Sequence, residues 1–116
     1  MIISDALRFE VAEECQREIR KLPRYDAELK PMISTLPSYT QLGMAALLPN
    51  QDLILSGDSA VSSFGEPTQG TANRQKILGR GRAGDQAKAI KAEDFMNMKA
   101  DEGKALFRDH DILYLY

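Results

Sequence analysis

Two junctions constrain this chain most. Ile2-Ile3-Ser4-Asp5-Ala6-Leu7-Arg8 and Leu36-Pro37-Ser38-Tyr39-Thr40-Gln41-Leu42-Gly43 each run from an apolar strand through a polar residue directly into an amphipathic helix. Strand, helix, strand, helix in that order implies a parallel sheet with right-handed crossovers. In such a sheet the binding crevice lies at the carboxyl ends of the strands. The first junction delivers a carboxylate there and the second a hydroxyl. That pairing, beside helix N-termini, suits metal-assisted attack on phosphorus.

The rest of the chain fills in around these junctions. Residues 1–5 read as a short buried strand, with Ser4 or Asp5 as helix cap. Leu7, Val11, Cys15, Ile19 and Leu22 recur at helical spacing on one face, and Pro23 ends that helix. Met32 to Leu36 reads as a second buried strand, and Ser38 to Leu48 as a second helix closed by Pro49. Short strands follow at 52–55 and 60–61, then a Ser, Gly, Pro and Thr-rich hairpin or loop from Ser62 to Gly70. A helix over 71–78, a loop over 79–84, a brief strand at 88–90 and a helical stretch over 92–109 broken near Lys99 lead to a last strand, Ile112 to Tyr116. At 116 residues, with no internal repeat, the chain reads as one small domain or part of a larger one.

Composition narrows the function classes. A net charge of −2 over 116 residues argues for neither a dedicated basic nucleic-acid surface nor an acidic tail. No run reaches the length of a membrane span, and no basic-then-apolar leader opens the chain, so the expected location is the cytoplasm. The one cysteine, Cys15, reads as a small buried apolar residue of a helix. An apolar strand at each end, Met1-Ile2-Ile3 and Ile112 to Tyr116, reads as a piece cut from a longer protein. The latter strand, deprived of a neighbour, is expected to offer an open edge and to self-associate.

Among candidate site residues, Asp5 is either a helix cap or a strand-end ligand for a hard metal. Arg8, one turn on, either pairs with Asp5 or contacts a substrate phosphate. Thr40, in the first turn of the second helix, is either a filler or a nucleophile that a metal must activate, with Ser38 and Tyr39 as runners-up. Gly79-Arg80-Gly81-Arg82-Ala83-Gly84 matches G-x-G-x-x-G but follows a helix, so the dinucleotide reading fails. Arg74, Lys76, Arg80 and Arg82 form a basic cluster, read as a solvated face before a phosphodiester contact. His110, between Asp109 and Asp111, reads as the polar loop entering the last strand. As the one histidine it closes no His-rich zinc site within the chain.

At these two junctions the sequence resembles the PglZ domain, a branch of the alkaline phosphatase superfamily. The likeness runs through Ile2 to Glu14, more closely through Leu36 to Pro49, and on through Arg74 to Leu78 and Arg108 to Tyr116. It is similar in particular to the PglZ proteins of BREX-type phage-resistance systems. The resemblance implies a two-metal, zinc-type hydrolase fold, a three-layer α/β/α arrangement with a mostly parallel sheet, of which residues 1–116 are a partial domain. In that fold Asp5 is a metal ligand and Thr40 takes the nucleophile position and touches the metal. A threonine there is more typical of phosphodiesterase-like branches. The remaining Asp and His ligands would follow the last strand, so the chain alone is expected to bind zinc weakly and to be inactive.

The expected function is therefore part of a metal-dependent phosphoester hydrolase, more a diesterase than a monoesterase. Asp5 would bind metal, Thr40 would attack and Arg8 would contact a phosphoester or nucleic-acid-like substrate, among other phage-defence proteins. The alternative is a non-catalytic scaffold of a defence complex, in which the same residues serve only as caps. A receiver-like domain with Asp5 as phosphoacceptor ranks last, for want of an acidic pair and a strand-end lysine.

Overall fold

The computed structural model describes residues 1–81 and 84–116. The chain divides into two units, Ser4–Ser34 and the remainder, Met1–Ile3 with Thr35–Tyr116. Arg82 and Ala83, which belong to the glycine-arginine run and the basic cluster, lie outside the described residues.

The smaller unit is built on helix α1, Phe9–Arg20. Its onset differs from the expected one. Asp5 and Ala6 form a turn in which Ala6 adopts φ 54°, a left-handed conformation that no helix continues through. Arg8, not Ser4 or Asp5, is the N-cap residue. The helix stops at Lys21, just ahead of Pro23, and the side chains of Gln16 and Arg20 both donate to the Ala27 carbonyl, at 2.9 and 3.1 Å. None of its residues is buried, and Cys15 is exposed rather than packed.

The larger unit holds helix α2 (Thr40–Ala46), strands β1 (Leu53–Leu55), β2 (Val61–Ser63) and β3 (Glu66–Pro67), and helix α3 (Thr71–Gly79). A 3₁₀ turn (Gly84–Gln86), strand β4 (Ala87–Ile90), helices α4 (Ala92–Met96) and α5 (Ala100–Asp109) and strand β5 (Ile112–Leu115) complete it. Two sheets result. β1, β2 and β3 form an antiparallel meander, with Leu53 opposite Ser63 and Ser62 opposite Pro67. β4 and β5 pair in parallel, Ala87 opposite Ile112 and Ile90 opposite Leu115. The intervening α4–α5 segment supplies the crossover that a parallel pair requires.

Parallel pairing is thus real but confined to one of the two sheets, and the expected mostly parallel sheet is not what the described residues form. The reason is visible at Met32 to Leu36, the second parallel strand of the sequence reading. Pro31 and Pro37 flank it, no strand pairs with it among the described residues, and Ile33 is 96% exposed. An apolar run is not a strand until a neighbour accepts its backbone hydrogen bonds.

The last strand is also corrected. β5 is not an open edge: β4 lies on one side, and Met1–Ile3 lies on the other through a parallel bridge from Ile2 to Leu115. Ile3 N–H donates to the Leu115 carbonyl (2.8 Å) and Leu115 N–H to the Met1 carbonyl (2.9 Å). The outer edge of β4 is covered by a side chain. The Gln75 amide donates to the Ala87 carbonyl and accepts from Ala89 N–H, both at 2.8 Å. Burial of Leu48, Ile77, Leu78, Ala87 and Ala89, with Phe64, Tyr114 and Tyr116 packed on them, locks α3 onto this sheet. A second cluster, Leu42, Ala45 and Val61 with Tyr39 and Leu53, seats α2 on the meander.

Candidate functional site

Asp5 and Arg8 belong to the smaller unit and Thr40 to the larger, and each is described within its own unit. Asp5 is exposed and sits in the turn before α1 rather than on the helix, so it and Arg8 do not occupy one helical turn. Arg8 is likewise exposed, and its side chain makes no capping hydrogen bond.

Thr40 opens α2 and is exposed. The helix is shorter than expected: seven residues, ending at Ala46, with Tyr39 as N-cap residue and no side-chain cap. Its dipole is therefore too small to make a phosphate cradle by itself. Position comes instead from the residues on either side of Thr40. The Tyr39 hydroxyl donates to the Ser59 carbonyl (3.2 Å), and Gln41 Nε2 donates to Thr68 Oγ1 (2.6 Å). Two residues further, Leu42 is buried beneath the helix.

Thr68 is fully buried and held on several sides. Its N–H and its hydroxyl both donate to the Val61 carbonyl, at 3.0 and 2.8 Å, and its own carbonyl accepts from Arg74 Nε at 3.2 Å. The Arg74 guanidinium in turn lies 4.3 Å from the centre of the Tyr116 ring, a cation–π contact. Burial pushes the Tyr116 phenol up to about 12, with Arg74 opposing and Tyr114 adding to the shift. Its hydroxyl has no hydrogen-bond partner within the described protein.

Each described member of the basic cluster has a partner within the protein. Arg74 is engaged as above, and Arg80 donates to the Phe64 carbonyl (2.6 Å) and pairs with Glu66 (3.1 Å). Lys76 approaches the same carboxylate at 3.8 Å. Lys76 and Arg80 keep 62% and 46% of their side chains exposed, as the solvated-face reading expects, and share Glu66 as a partner. His110 places Nδ1 3.0 Å from the Leu106 carbonyl at the end of α5, in keeping with its reading as a connecting residue. Among the described residues no three of His, Cys, Asp and Glu converge as a metal site. No helix among them is long and apolar enough to cross a membrane.

Sequence reasoning missed Tyr39 as an anchor, Gln41, Thr68 and Gln75. All four act through polar contacts between residues at least 12 apart in sequence, which periodicity cannot signal.

Comparison with known proteins gives these features a context. Residues 1–116 match the family described as the BREX system PglZ alkaline phosphatase-like domain. Over its whole length the chain is 44% identical to the alkaline phosphatase-like protein BrxZ of Escherichia coli O9:H4 (strain HS), covering 13% of that protein. It is 32% identical to the alkaline phosphatase-like protein PglZ of Bacillus cereus (strain H3081.97), again covering 13% of the relative. No solved structure matches. Small sheets of mixed α/β character are compatible with a piece of such a domain, and the family match spans every residue: the chain belongs to the PglZ family of alkaline phosphatase-like domains of BREX systems.

Proposed function

We propose that residues 1–116 form part of a longer metal-dependent hydrolase of phosphoesters, more a diesterase than a monoesterase. It would work in the cytoplasm alongside other phage-defence proteins. The observation that carries this reading is the full-length match to an alkaline phosphatase-like family. Asp5 would supply one ligand to a zinc-type metal centre, Thr40 would serve as nucleophile and further ligand, and Arg8 would contact the substrate phosphate. The described residues do not gather a metal site of their own, so the other ligands would come from outside this chain. No step of turnover is therefore assigned to the metal within it.

For Thr40 the supporting observation is its place as the exposed first residue of α2. In turnover its hydroxyl oxygen would form a bond to phosphorus while the ester oxygen leaves with the bonding pair. The test uses the longer protein with bis(p-nitrophenyl) phosphate and p-nitrophenyl phosphate, and reads bound metal by mass spectrometry. Thr40→Ala is expected to abolish turnover with metal retained, Asp5→Asn to lower metal content, and Arg8→Ala to raise KM. Turnover by Thr40→Ala within twofold of the parent would overturn the assignment of the nucleophile.

A further inference from the structure

The seven-residue helix that carries Thr40 has no side-chain cap, yet both neighbours of Thr40 are tied across to the antiparallel meander and the segment that follows it. Tyr39 reaches the Ser59 carbonyl in the β1–β2 connection, and Gln41 reaches Thr68 just beyond β3. We infer that Tyr39 and Gln41 are positioning residues for Thr40, a two-point clamp that fixes the place of residue 40 at the start of α2. The inference rests on the proposed role of Thr40.

The two anchors differ in strength, and the difference decides which residue matters more. The Tyr39 bond is long, at 3.2 Å, and exposed, and it ends on a carbonyl beside a turn residue, Ser59, at φ 67°. Water competes for such a bond. The Gln41 bond is short, at 2.6 Å, and half-buried. It ends on a hydroxyl that cannot rotate away, because Thr68 is fully buried and its proton is committed to the Val61 carbonyl. With that proton spent, Thr68 Oγ1 can only accept from residue 41. The clamp therefore requires a donor at position 41, and an acceptor there would face a lone pair. The anchor is held in turn by Arg74, whose Nε binds the Thr68 carbonyl and whose guanidinium stacks on Tyr116 at the end of β5. The first turn of α2 is thus referenced to the parallel sheet through Gln41, Thr68 and Arg74.

A nucleophile displaced by about 1 Å loses on the order of a hundredfold in rate. The experiment measures kcat, KM, bound metal and thermal melting of the longer protein with bis(p-nitrophenyl) phosphate. The variants are Gln41→Leu, Gln41→Lys, Gln41→Glu, Thr68→Val and the Gln41→Leu/Thr68→Val double. Gln41→Leu is expected to lower kcat by about ten- to a hundredfold with KM within about twofold. Gln41→Lys, which restores a donor, is expected to recover most of that loss, and Gln41→Glu to recover none. The double variant is expected to match the worse single one, since both remove one contact. If Thr40→Ala is inactive while Gln41→Leu keeps kcat within twofold, the clamp is refuted and the nucleophile stands. If Thr40→Ala stays active, the reading of the nucleophile fails first. Equal losses in Gln41→Leu, Gln41→Lys and Gln41→Glu, tracking their melting temperatures, would reduce Gln41 to a packing residue and overturn the inference.

Discussion

The side chain of Gln75 replaces a strand, and that makes a sharp prediction about stability. Its amide satisfies one carbonyl and one N–H on the outer edge of β4, each at 2.8 Å. Both backbone groups belong to nearly inaccessible residues, Ala87 at 2% and Ala89 at 5% exposure. Opposite partners fix the amide orientation, with nitrogen toward Ala87 and oxygen toward Ala89. Gln75→Leu keeps the bulk and removes both bonds, leaving two buried backbone groups unsatisfied. At about 1–3 kcal/mol each the loss is about 2–6 kcal/mol. With a urea slope of about 1–3 kcal/mol per molar, the midpoint falls by about 2 M for a mid-range loss.

Gln75→Glu separates the two bonds. Its carboxylate can still accept from Ala89 N–H but sets negative charge against the Ala87 carbonyl, which can only accept. Protonated, the same side chain donates to Ala87 as the amide does. The folded state thus holds this carboxyl above its unfolded value of about 4.3. A group raised in this way contributes stability that is fully present below the unfolded value and is lost as pH rises through the folded one. Urea denaturation of Gln75→Glu against the parent should therefore show a smaller deficit at pH 4 than at pH 7, whereas the Gln75→Leu deficit should not change. Exchange of the Ala89 amide should accelerate in Gln75→Leu and less so in Gln75→Glu. A Gln75→Leu deficit below about 0.5 kcal/mol, less than one net hydrogen bond, would refute the edge role of this side chain. So would a Gln75→Glu deficit independent of pH.

Two further expectations test the packing around it. Tyr116, whose phenol is pushed up to about 12 and whose hydroxyl lacks a partner, should ionise last in an ultraviolet titration. Tyr116→Phe should remove that late step and, by deleting an uncompensated buried polar group, hold or raise stability by about 1 kcal/mol; a marked loss would show that the hydroxyl is satisfied. Ile77, fully buried between Leu48, Leu78 and the alanines of β4, should cost about 2–5 kcal/mol as Ile77→Ala by chemical denaturation. A cost under 1 kcal/mol would mean that α3 does not seal the sheet.

Much of the local structure was legible in the sequence. The helix over 71–78, the strand over 88–90, the helical stretch broken near Lys99 and the last strand all occur within a residue or two of their expected bounds. Each is announced by apolar spacing and by Gly, Pro or polar punctuation, which act locally. Of the second junction only the helix is present, shorter than read, as Thr40–Ala46 in place of Ser38 to Leu48. Failures arose where a local signal needed a distant partner. The run over Met32 to Leu36 is apolar enough for a strand but finds no ladder among the described residues. Asp5 resembles a helix cap, but the turn through Ala6 delays the helix to Phe9. The basic cluster is solvated at Lys76 and Arg80 as read, but its partners, Glu66, the Phe64 and Thr68 carbonyls and the Tyr116 ring, lie elsewhere in the chain and leave no local signal.

The most instructive failure concerns the last strand, since one fact reverses both its edge status and its expected consequence. Ile112 to Leu115 is apolar because it is central, and the neighbour inferred to be missing is the other end of this same chain, Met1–Ile3. Sequence shows that both segments are apolar but not that they are parallel and adjacent, because more than 100 residues separate the bridged pair Ile2 and Leu115. Once they pair, self-association through β5 loses its physical basis: donors and acceptors on both of its edges are engaged. The exposed edge of this sheet shifts to Met1–Ile3, where Ile2 is 79% accessible, while Gln75 occupies the opposite side. An added strand is therefore no longer expected on β5 itself. On the β4 side it would first have to displace two 2.8 Å hydrogen bonds.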